Sequence, residues 1–468
     1  MWDFKKHSDN IAVIEESGSI VTYGELTEHA NNLTDMIPER SLVFCLCKNT
    51  IGSLLGYTAF LNAKIVPLML DESVNKESLD SLIDVYKPQY FWVRSAMIEQ
   101  FDGCISIYSD FDFTLLKNPY GQRHILHKDL ALLLTTSGST GSRKLVRQSY
   151  QNLKSNTESI VEYLEIDCKE RSITTLPMSY TYGLSIINTY LHAGASIIIT
   201  NKTLVQKEFW NQLKTYSATS FGGVPFTYEM LNKLKFFKME LPLLKVMTQA
   251  GGRLTADLHK KFSLYAKETG KRFYVMYGQT EATARMSYLP YNKSLEKCGS
   301  IGIAIPNGKF FLVDEENNQI TDCDTVGELG YTGENVTFGY AENCKDLTKG
   351  DERQGTLLTG DMAKIDEDGF YWVVGRKKRF LKIFGNRVNL DETEELLKTR
   401  FSDVELACSG VDDQLYVYVT ESGIIDDVRQ YLSDKTGLNH ISILVKYVNE
   451  IPKNESGKTA YNNLSSLA

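Results

Sequence analysis

The sequence lacks most of the features that assign a protein quickly. No apolar run reaches the uninterrupted length a membrane helix requires. Ile51 to Leu70 comes closest, and Asn62 and Lys64 interrupt it. The first residues, MWDFKKHSDN, hold no apolar signal core. Basic charge is not in excess: 51 Lys and Arg against 59 Asp and Glu give a formal charge of −8. That balance argues against nucleic acid or an anionic membrane as the main partner. Zinc-type spacing is missing as well. The eight cysteines are scattered, and the close pair Cys45 and Cys47 lies in an apolar run, where a strand's period of 2 places both on one face of a core. No internal repeat is evident. The expectation is a soluble, cytoplasmic protein with free thiols in a reducing compartment.

What is present is long and ordinary in composition: 468 residues, 42% hydrophobic and 24% charged. About three domains or subdomains is the prior for that length. Up to about residue 130, apolar strands (Ser41 to Cys47, Val66 to Leu70, Tyr90 to Val93) alternate with helical patterns such as Ile51 to Ala63. This alternation predicts parallel α/β architecture. From about residue 299 short strands and turns dominate, pointing to a β-rich subdomain over about 299–375. The basic run Gly375 to Arg379 follows, and residues 380 to 468 read as a small α/β unit. The expected organisation is an α/β fold with mixed or parallel sheets in a large N-terminal domain, residues 1–377. A boundary lies at Lys378, and a small mobile α+β domain spans 379–468.

Four strands end in loops of small residues: after Leu134, Leu176, Thr248 and Met276. Ligands of open α/β sheets bind beyond the carboxyl ends of strands, so the pattern predicts one cleft lined by several loops. The first loop is the most chemical. The apolar run Leu130 to Leu134 turns into Thr135-Thr136-Ser137-Gly138-Ser139-Thr140-Gly141-Ser142, followed by Arg143 and Lys144. Glycines admit close backbone approach, amides converge on an anion, and hydroxyls and a lysine add donors, which is the chemistry of a phosphate cradle. A surface loop of turn residues reads the same way.

Other segments are open individually. Tyr277-Gly278-Gln279-Thr280-Glu281 ends a strand with a ring, a hydroxyl and a carboxylate; Glu281 suits a Mg²⁺ ligand, or Thr280 is an N-cap with a first-turn acid. Thr359-Gly360-Asp361 carries an acid on a tight turn that suits ribose hydroxyls, or is only a turn. The basic run is a solvated linker unless it serves a site. Pro452 to Lys458 places a lysine on a terminal loop.

In their order and wording these segments resemble the acyl-adenylate-forming superfamily: acyl-CoA synthetases, AMP-dependent acyl and aryl ligases, and peptide-synthetase adenylation domains. The pattern Ser-Gly-Ser/Thr-Thr-Gly-x-Pro-Lys-Gly is matched from Ser137, with Arg143 in place of Pro and Leu145 in place of Gly. Tyr-Gly-x-Thr-Glu is complete at Tyr277 to Glu281. Gly327-Glu328-Leu329, Gly333 and Gly339-Tyr340 form a third motif, and Thr359 to Asp361 a fourth. Gly375-Arg376, Leu381-Lys382, Gly385, Arg387-Val388 and Glu392 or Glu394 match the hinge motif, and Ser456-Gly457-Lys458 the terminal one.

The resemblance implies ATP-dependent activation of a carboxylic acid to acyl-AMP with pyrophosphate release, then transfer to CoA or to phosphopantetheine on a free-standing carrier protein. It assigns the phosphates to Thr136, Ser137, Gly138, Ser139, Thr140, Gly141 and Lys144, and Mg²⁺ to Glu281. Thr280 goes to the α-phosphate, the adenine slot to Gly251, Gly252 and Tyr277, and the ribose to Asp361 with Arg376 beside it. Lys458 bridges the acyl carboxylate and the α-phosphate. Lys378 takes the hinge position about which the small domain rotates, exchanging Lys458 for the segment Lys382 to Gly385. The acyl pocket is expected among Tyr180, Tyr182, Val224, Ala250, Gly251 and Ala282 to Arg285. Arg285 is open to two roles: meeting a second carboxylate or polar group on the substrate, or a structural salt bridge.

Departures from the pattern matter. Arg143 adds charge beside the pyrophosphate. Tyr180 stands where the family often has His, and no acid follows, which disfavours an α-amino acid, although an amino-acid-activating ligase is the alternative. The chain stops ten residues after Lys458, so no fused carrier domain is expected. A P-loop phosphotransferase fits poorly, because two residues rather than four separate Gly138 and Gly141, Lys144 does not follow a glycine and no Ser or Thr follows it. A non-catalytic nucleotide binder is disfavoured by the intact Glu281, Asp361 and Lys458.

Overall fold

The computed structural model describes residues 2–135, 144–383, 386–411, 413–453 and 459–464. The expected phosphate-loop residues Thr136 to Gly141, the terminal Lys458 and Gly385 lie outside them. The chain forms two compact units, residues 1–310 with 331–357, and residues 311–330 with 358–468. The fold class is α/β, as the strand–helix alternation predicts.

Among its described residues the first unit contains two large sheets. The nine-stranded sheet runs in spatial order Ile303–Ala304, Ser287–Leu289, Arg272–Tyr277, Val246–Gln249, Ser220–Gly223, Arg171–Ile173, Ser196–Ile199, Ile11–Glu15, Ile20–Thr22. Its central strands pair in parallel. The eight-stranded sheet runs Gly339–Ala341, Leu145–Ser149, Leu130–Thr135, Val66–Asp71, Leu42–Cys47, Tyr90–Arg94, Phe113–Lys117, Ile105–Asp110. Cys45 and Cys47 are both buried in its core, and all eight cysteines are free thiols.

The two sheets share one core. It includes Val43, Cys45, Leu132 and Leu134 of one, and Ile197, Ile199, Tyr274 and Met276 of the other. The helices Ile51–Asn62 and Thr181–His192 belong to the same core. Every residue from Ile51 to Leu61 is buried, as a mostly apolar helix requires. The Tyr57 hydroxyl donates to Asn188 Oδ1 at 2.8 Å and ties the two helices together. Each fully buried Leu or Ile here contributes about 1.5–3 kcal/mol. The helix Tyr150–Leu164 starts at Ser149, which forms a capping box with Asn152, as its sequence pattern predicts.

Two features of the fold go beyond what the sequence pattern specifies. The four strands that end in small-residue loops do not share a sheet. Leu130–Thr135 belongs to the eight-stranded sheet, and the strands ending near Ile173, Gln249 and Tyr277 to the nine-stranded one. Burial patterning reveals that a strand is interior but not which strand it pairs with. In addition, the loop after Thr135 returns the chain to the same sheet. It connects two antiparallel strands, with Thr135 opposite Leu145.

The second unit holds a five-stranded sheet ordered Gln319–Ile320, Lys309–Val313, Gly327–Thr332, Thr356–Ile365, Tyr371–Arg376, some of whose strands cross the division of the chain. It also holds the hairpin Phe380–Ile383 with Asn386–Asn389, and a three-stranded sheet, Leu406–Val411, Gln414–Val419, Ile443–Tyr447. The helices Leu390–Arg400 and Ile425–Thr436 supply Leu390, Leu397, Val428 and Leu432 to one core with that sheet. No helix among the described residues is long and apolar enough to cross a membrane.

Candidate active site

The expected site residues of the first unit gather in two groups joined by one short loop. The first group surrounds Glu281. The strand Arg272–Tyr277 delivers Tyr277, and a turn over Thr280–Ala282 follows. Gly278 is demanded by packing, since a Cβ there would stand 1.6 Å from the carbonyl oxygen of Ala284. Thr280 is not an N-cap: its turn is preceded by Gln279 and has no side-chain cap. Glu281 Oε1 accepts a hydrogen bond from the Tyr340 hydroxyl at 2.7 Å. Burial, reinforced by the Glu281 charge, pushes the Tyr340 phenol up to about 12, so it remains a donor at neutral pH.

Two cations lie against the same ring, Lys144 with Nζ 3.8 Å and Arg353 with Cζ 4.7 Å from its centroid. Arg353 Nη1 also donates to the Glu281 carbonyl at 3.0 Å and to Thr337 Oγ1 at 2.7 Å. Gln148 Nε2 donates to the Thr280 carbonyl at 3.4 Å. The lysine that closes the hydroxyl-rich loop and the carboxylate of the Tyr-Gly-x-Thr-Glu motif therefore meet at one aromatic ring, although they come from different sheets.

Tyr340, Arg353 and Gln148 were not among the residues singled out by sequence. Tyr340 closes the motif that ends in Gly339-Tyr340, and its aromatic ring is the available signal; Arg353 offers none. Their placement depends on Arg147, which has no exposed surface. Its guanidinium donates to the carbonyls of Tyr340 and Phe338 at 3.1 Å each and of Gly350 at 3.2 Å, and also binds the Lys349 carbonyl and Glu352. Arg147→Met leaves those acceptors without donors, and is expected to lower unfolding free energy by about 2–5 kcal/mol in urea melts.

The second group is the expected acyl pocket. Gly251 has φ +81°, and a Cβ there would lie 2.7 Å from the Tyr180 hydroxyl and 3.1 Å from Val224 Cγ1, so only glycine fits. Ala250 is buried and its N–H donates to the Gly223 carbonyl at 3.1 Å. The buried Gln249 side chain donates to the carbonyls of Ala250 (3.2 Å) and Gly252 (2.9 Å), fixing the glycine turn. The rings of Tyr180 and Tyr182 meet edge-on at 6.4 Å, and the Tyr182 and Thr248 hydroxyls are 2.8 Å apart. Arg285 is buried with its Cζ 5.1 Å from the Tyr182 centroid. Tyr180 and Val224 thus lie against Gly251, next to Ala250 in the chain, and Tyr182 stands between Tyr180 and Arg285.

The loop between Glu281 and Arg285 is strained. Thr283 (φ +55°) and Ala284 (φ +99°) both occupy the left-handed region without being glycine, at a cost of about 1–3 kcal/mol each. Asn335 holds them: its Nδ2 donates to the carbonyls of Ala282 (2.8 Å) and Arg285 (3.2 Å), and its own carbonyl accepts from Thr283 Oγ1 (2.7 Å). Asn156 Nδ2 donates to the Arg285 carbonyl at 2.7 Å. The strain fixes a carboxylate at one end of the loop and a guanidinium at the other.

In the second unit, Thr359-Gly360-Asp361 is not a tight turn. It lies within the strand Thr356–Ile365, with Gly360 at φ +72°. Asp361 is buried and its Oδ1 pairs with Arg376 Nε at 2.7 Å across the neighbouring antiparallel strand. Nor is the basic run a solvated linker. Lys377 pairs with Glu328 at 2.6 Å, and Arg379 with Asp391 and with Glu394 at 2.7 Å. Lys378 falls in the short helical turn Lys377–Arg379. Among the described residues no cluster of three or more His, Cys, Asp or Glu is arranged to hold a metal. Glu281 fits a Mg²⁺ that takes one carboxylate and completes its shell with phosphate oxygens and water.

A family model described as "AMP-binding: AMP-binding enzyme" matches residues 2–341. The chain belongs to this AMP-binding enzyme family, within the acyl-adenylate-forming superfamily. It is 27% identical over 467 residues to the peroxisomal OPC-8:0-CoA ligase 1 of Arabidopsis thaliana, covering 96% of this chain and 80% of the relative. Similarity to the oxalate–CoA ligase of Saccharomyces cerevisiae is 26% identity over 70% of this chain, and to a long-chain-fatty-acid–CoA ligase of Yersinia pestis 28% over 72%. The match spans 62% of each of those two. The fold matches the O-succinylbenzoate coenzyme A synthetase of Bacillus subtilis in complex with AMP, with TM-score 0.80, 18% identity, and 98% and 97% of the two chains covered. ATP-bound MatB from Rhodopseudomonas palustris gives TM-score 0.77 at 22% identity, covering 99% and 98%.

Proposed function

We propose that the protein activates a carboxylic acid with ATP and then passes the acyl group to a thiol. A substrate carboxylate oxygen attacks the α-phosphorus, the bond to pyrophosphate breaks, and acyl-AMP forms. A thiolate then attacks the acyl carbon and AMP leaves. The observation that carries this reading is the convergence of Lys144 and Glu281 on Tyr340: a cation for the departing phosphates beside a carboxylate suited to Mg²⁺. Bound Mg²⁺ neutralises charge on the phosphates during displacement. Glu281 holds it, with Tyr340 orienting the carboxylate. Lys144 and the loop Thr136 to Gly141 grip the β- and γ-phosphates, and Thr280 meets the α-phosphate. Gly251, Gly252 and Tyr277 receive adenine, and Asp361, supported by Arg376, the ribose hydroxyls. Lys458 neutralises the charge that passes between carboxylate and α-phosphate. Residues 1–377 act as the adenylating body, and rotation of 379–468 about Lys378 withdraws Lys458 for the second step. The thiol is CoA, in keeping with the CoA ligases among the relatives, or carrier-protein pantetheine.

ATP–pyrophosphate exchange across short aliphatic, hydroxy, aryl and amino acids, run with and without CoA, tests the reading. Exchange with at least one acid is expected; none across the panel contradicts it. Tyr340→Phe keeps the ring beneath Lys144 and Arg353 but removes the donor to Glu281. It is expected to lower kcat/KM for Mg–ATP by about tenfold, the equivalent of one hydrogen bond to a charged group. Steady-state kinetics at varied Mg²⁺ check it.

A further inference from the structure

Resting on the adenylation reading, the buried guanidinium of Arg285 narrows the substrate. Its Nε donates to Ser185 Oγ at 3.2 Å and its Nη1 to the Tyr163 hydroxyl at 3.3 Å, while Met276 Sδ lies 3.6 Å away. Tyr182 presents its ring face. These neighbours, from the helices Tyr150–Leu164 and Thr181–His192 and the strand Arg272–Tyr277, are all neutral. Burial raises the phenols of Tyr163 and, to about 12, Tyr182, so neither supplies an anion at neutral pH. Among the described residues no carboxylate lies within ion-pair distance of Arg285. The cavity that Arg285 lines also contains Glu170 and Arg272, but Glu170 pairs with Lys245 at 2.7 Å and Arg272 with Glu165 at 2.6 Å.

A guanidinium does not lose its proton, so an interior one without a counter-ion is a charge waiting for a partner. The structural salt bridge is therefore not formed. The strained loop that positions Glu281 also holds Arg285 in place. The cavity beside it has about 10 Å³ of free volume, space for roughly one water. That leaves no room beside Arg285 for a long alkyl chain.

We propose that Arg285 is a specificity-determining residue that selects a short dicarboxylic acid, binding the far carboxylate while the near one is adenylated. A planar guanidinium fork matches a carboxylate in two-point geometry. A site built to pair a polar group rejects analogues lacking it far more strongly than an apolar pocket rejects a missing methylene.

The test uses the full-length protein and pyrophosphate release with Mg–ATP. Its substrates are malonate, succinate, glutarate and adipate, their monomethyl esters, and monocarboxylic acids of matched length. At least one diacid is expected to exceed its ester and matched monoacid by about 100-fold or more in kcat/KM. Arg285→Met is expected to erase that preference and raise monoacid use, with Arg285→Lys restoring part of it. Thermal melts supply a readout independent of turnover: the preferred diacid raises the melting temperature of the wild type but not of Arg285→Met. Should Arg285→Met fail to fold, the wild-type diacid–ester comparison and Arg285→Lys still decide. Preference for monoacids in the wild type, or a diacid preference unchanged in the variants, overturns the assignment while leaving adenylation intact. No pyrophosphate release with any acid, in this set or the broader exchange panel, overturns the adenylation reading itself.

Discussion

Glu281→Gln is expected to lower acid-dependent pyrophosphate release by about 10²–10³-fold, the usual consequence of removing one group that balances charge in a transition state. The substitution is nearly isosteric, and the Gln carbonyl oxygen can still accept from the Tyr340 hydroxyl that reaches Glu281 at 2.7 Å. The bonds that the carbonyl of residue 281 accepts from the Arg353 guanidinium and the Thr337 N–H are untouched. The fold is therefore retained and the negative charge alone disappears. Raising Mg²⁺ should recover part of the lost rate, because the lost interaction is cation binding. Melting curves matched to wild type, together with a Mg²⁺ titration of the rate, distinguish this from a structural defect. A loss no larger than that of Tyr340→Phe would mean that the carboxylate serves the packing around Tyr340 rather than the metal.

The second large effect concerns Lys458. Its role comes from the Ser456-Gly457-Lys458 motif, since it lies outside the described residues. As the acid attacks, negative charge moves from carboxylate to α-phosphate and onto the departing pyrophosphate. A lysine bridging the first two stabilises that transfer more than it stabilises bound substrate. Lys458→Ala should thus lower acyl-AMP formation by about 10²–10³-fold. Thioester formation from supplied acyl-AMP and thiol should be largely spared, because the proposed rotation at Lys378 removes Lys458 from the reacting atoms before that step. Measuring the two half-reactions separately decides the matter. Equal losses in both would overturn the role and the alternation it implies.

Much of the architecture was legible in the sequence because the signals were local. The apolar run Leu42 to Cys47, the Ser149 cap and the mostly apolar helix after Thr50 depend on neighbours a few residues away. What escaped depends on distant partners. The strand Leu145–Ser149 was hidden because Arg147 and Gln148 interrupt its apolar pattern. Both are buried, with partners at Thr280, Phe338 to Gly350 and Glu352. Asp361 read as a turn because Gly360 precedes it, yet the glycine sits inside a long strand where its positive φ is tolerated. Arg285 was ambiguous in sequence between salt bridge and ligand contact. Only the fold reveals that its neighbours are a serine, two tyrosines and a methionine.

The central claim is that ATP is cleaved at the α-phosphorus by a carboxylic acid. The direct measurement is to identify the nucleotide product while counting pyrophosphate, with ATP, Mg²⁺, thiol and each acid of the panel. The account predicts AMP and pyrophosphate in equal amounts, formed only when acid is present. ADP with inorganic phosphate, or nucleotide cleavage indifferent to the acid, would contradict it.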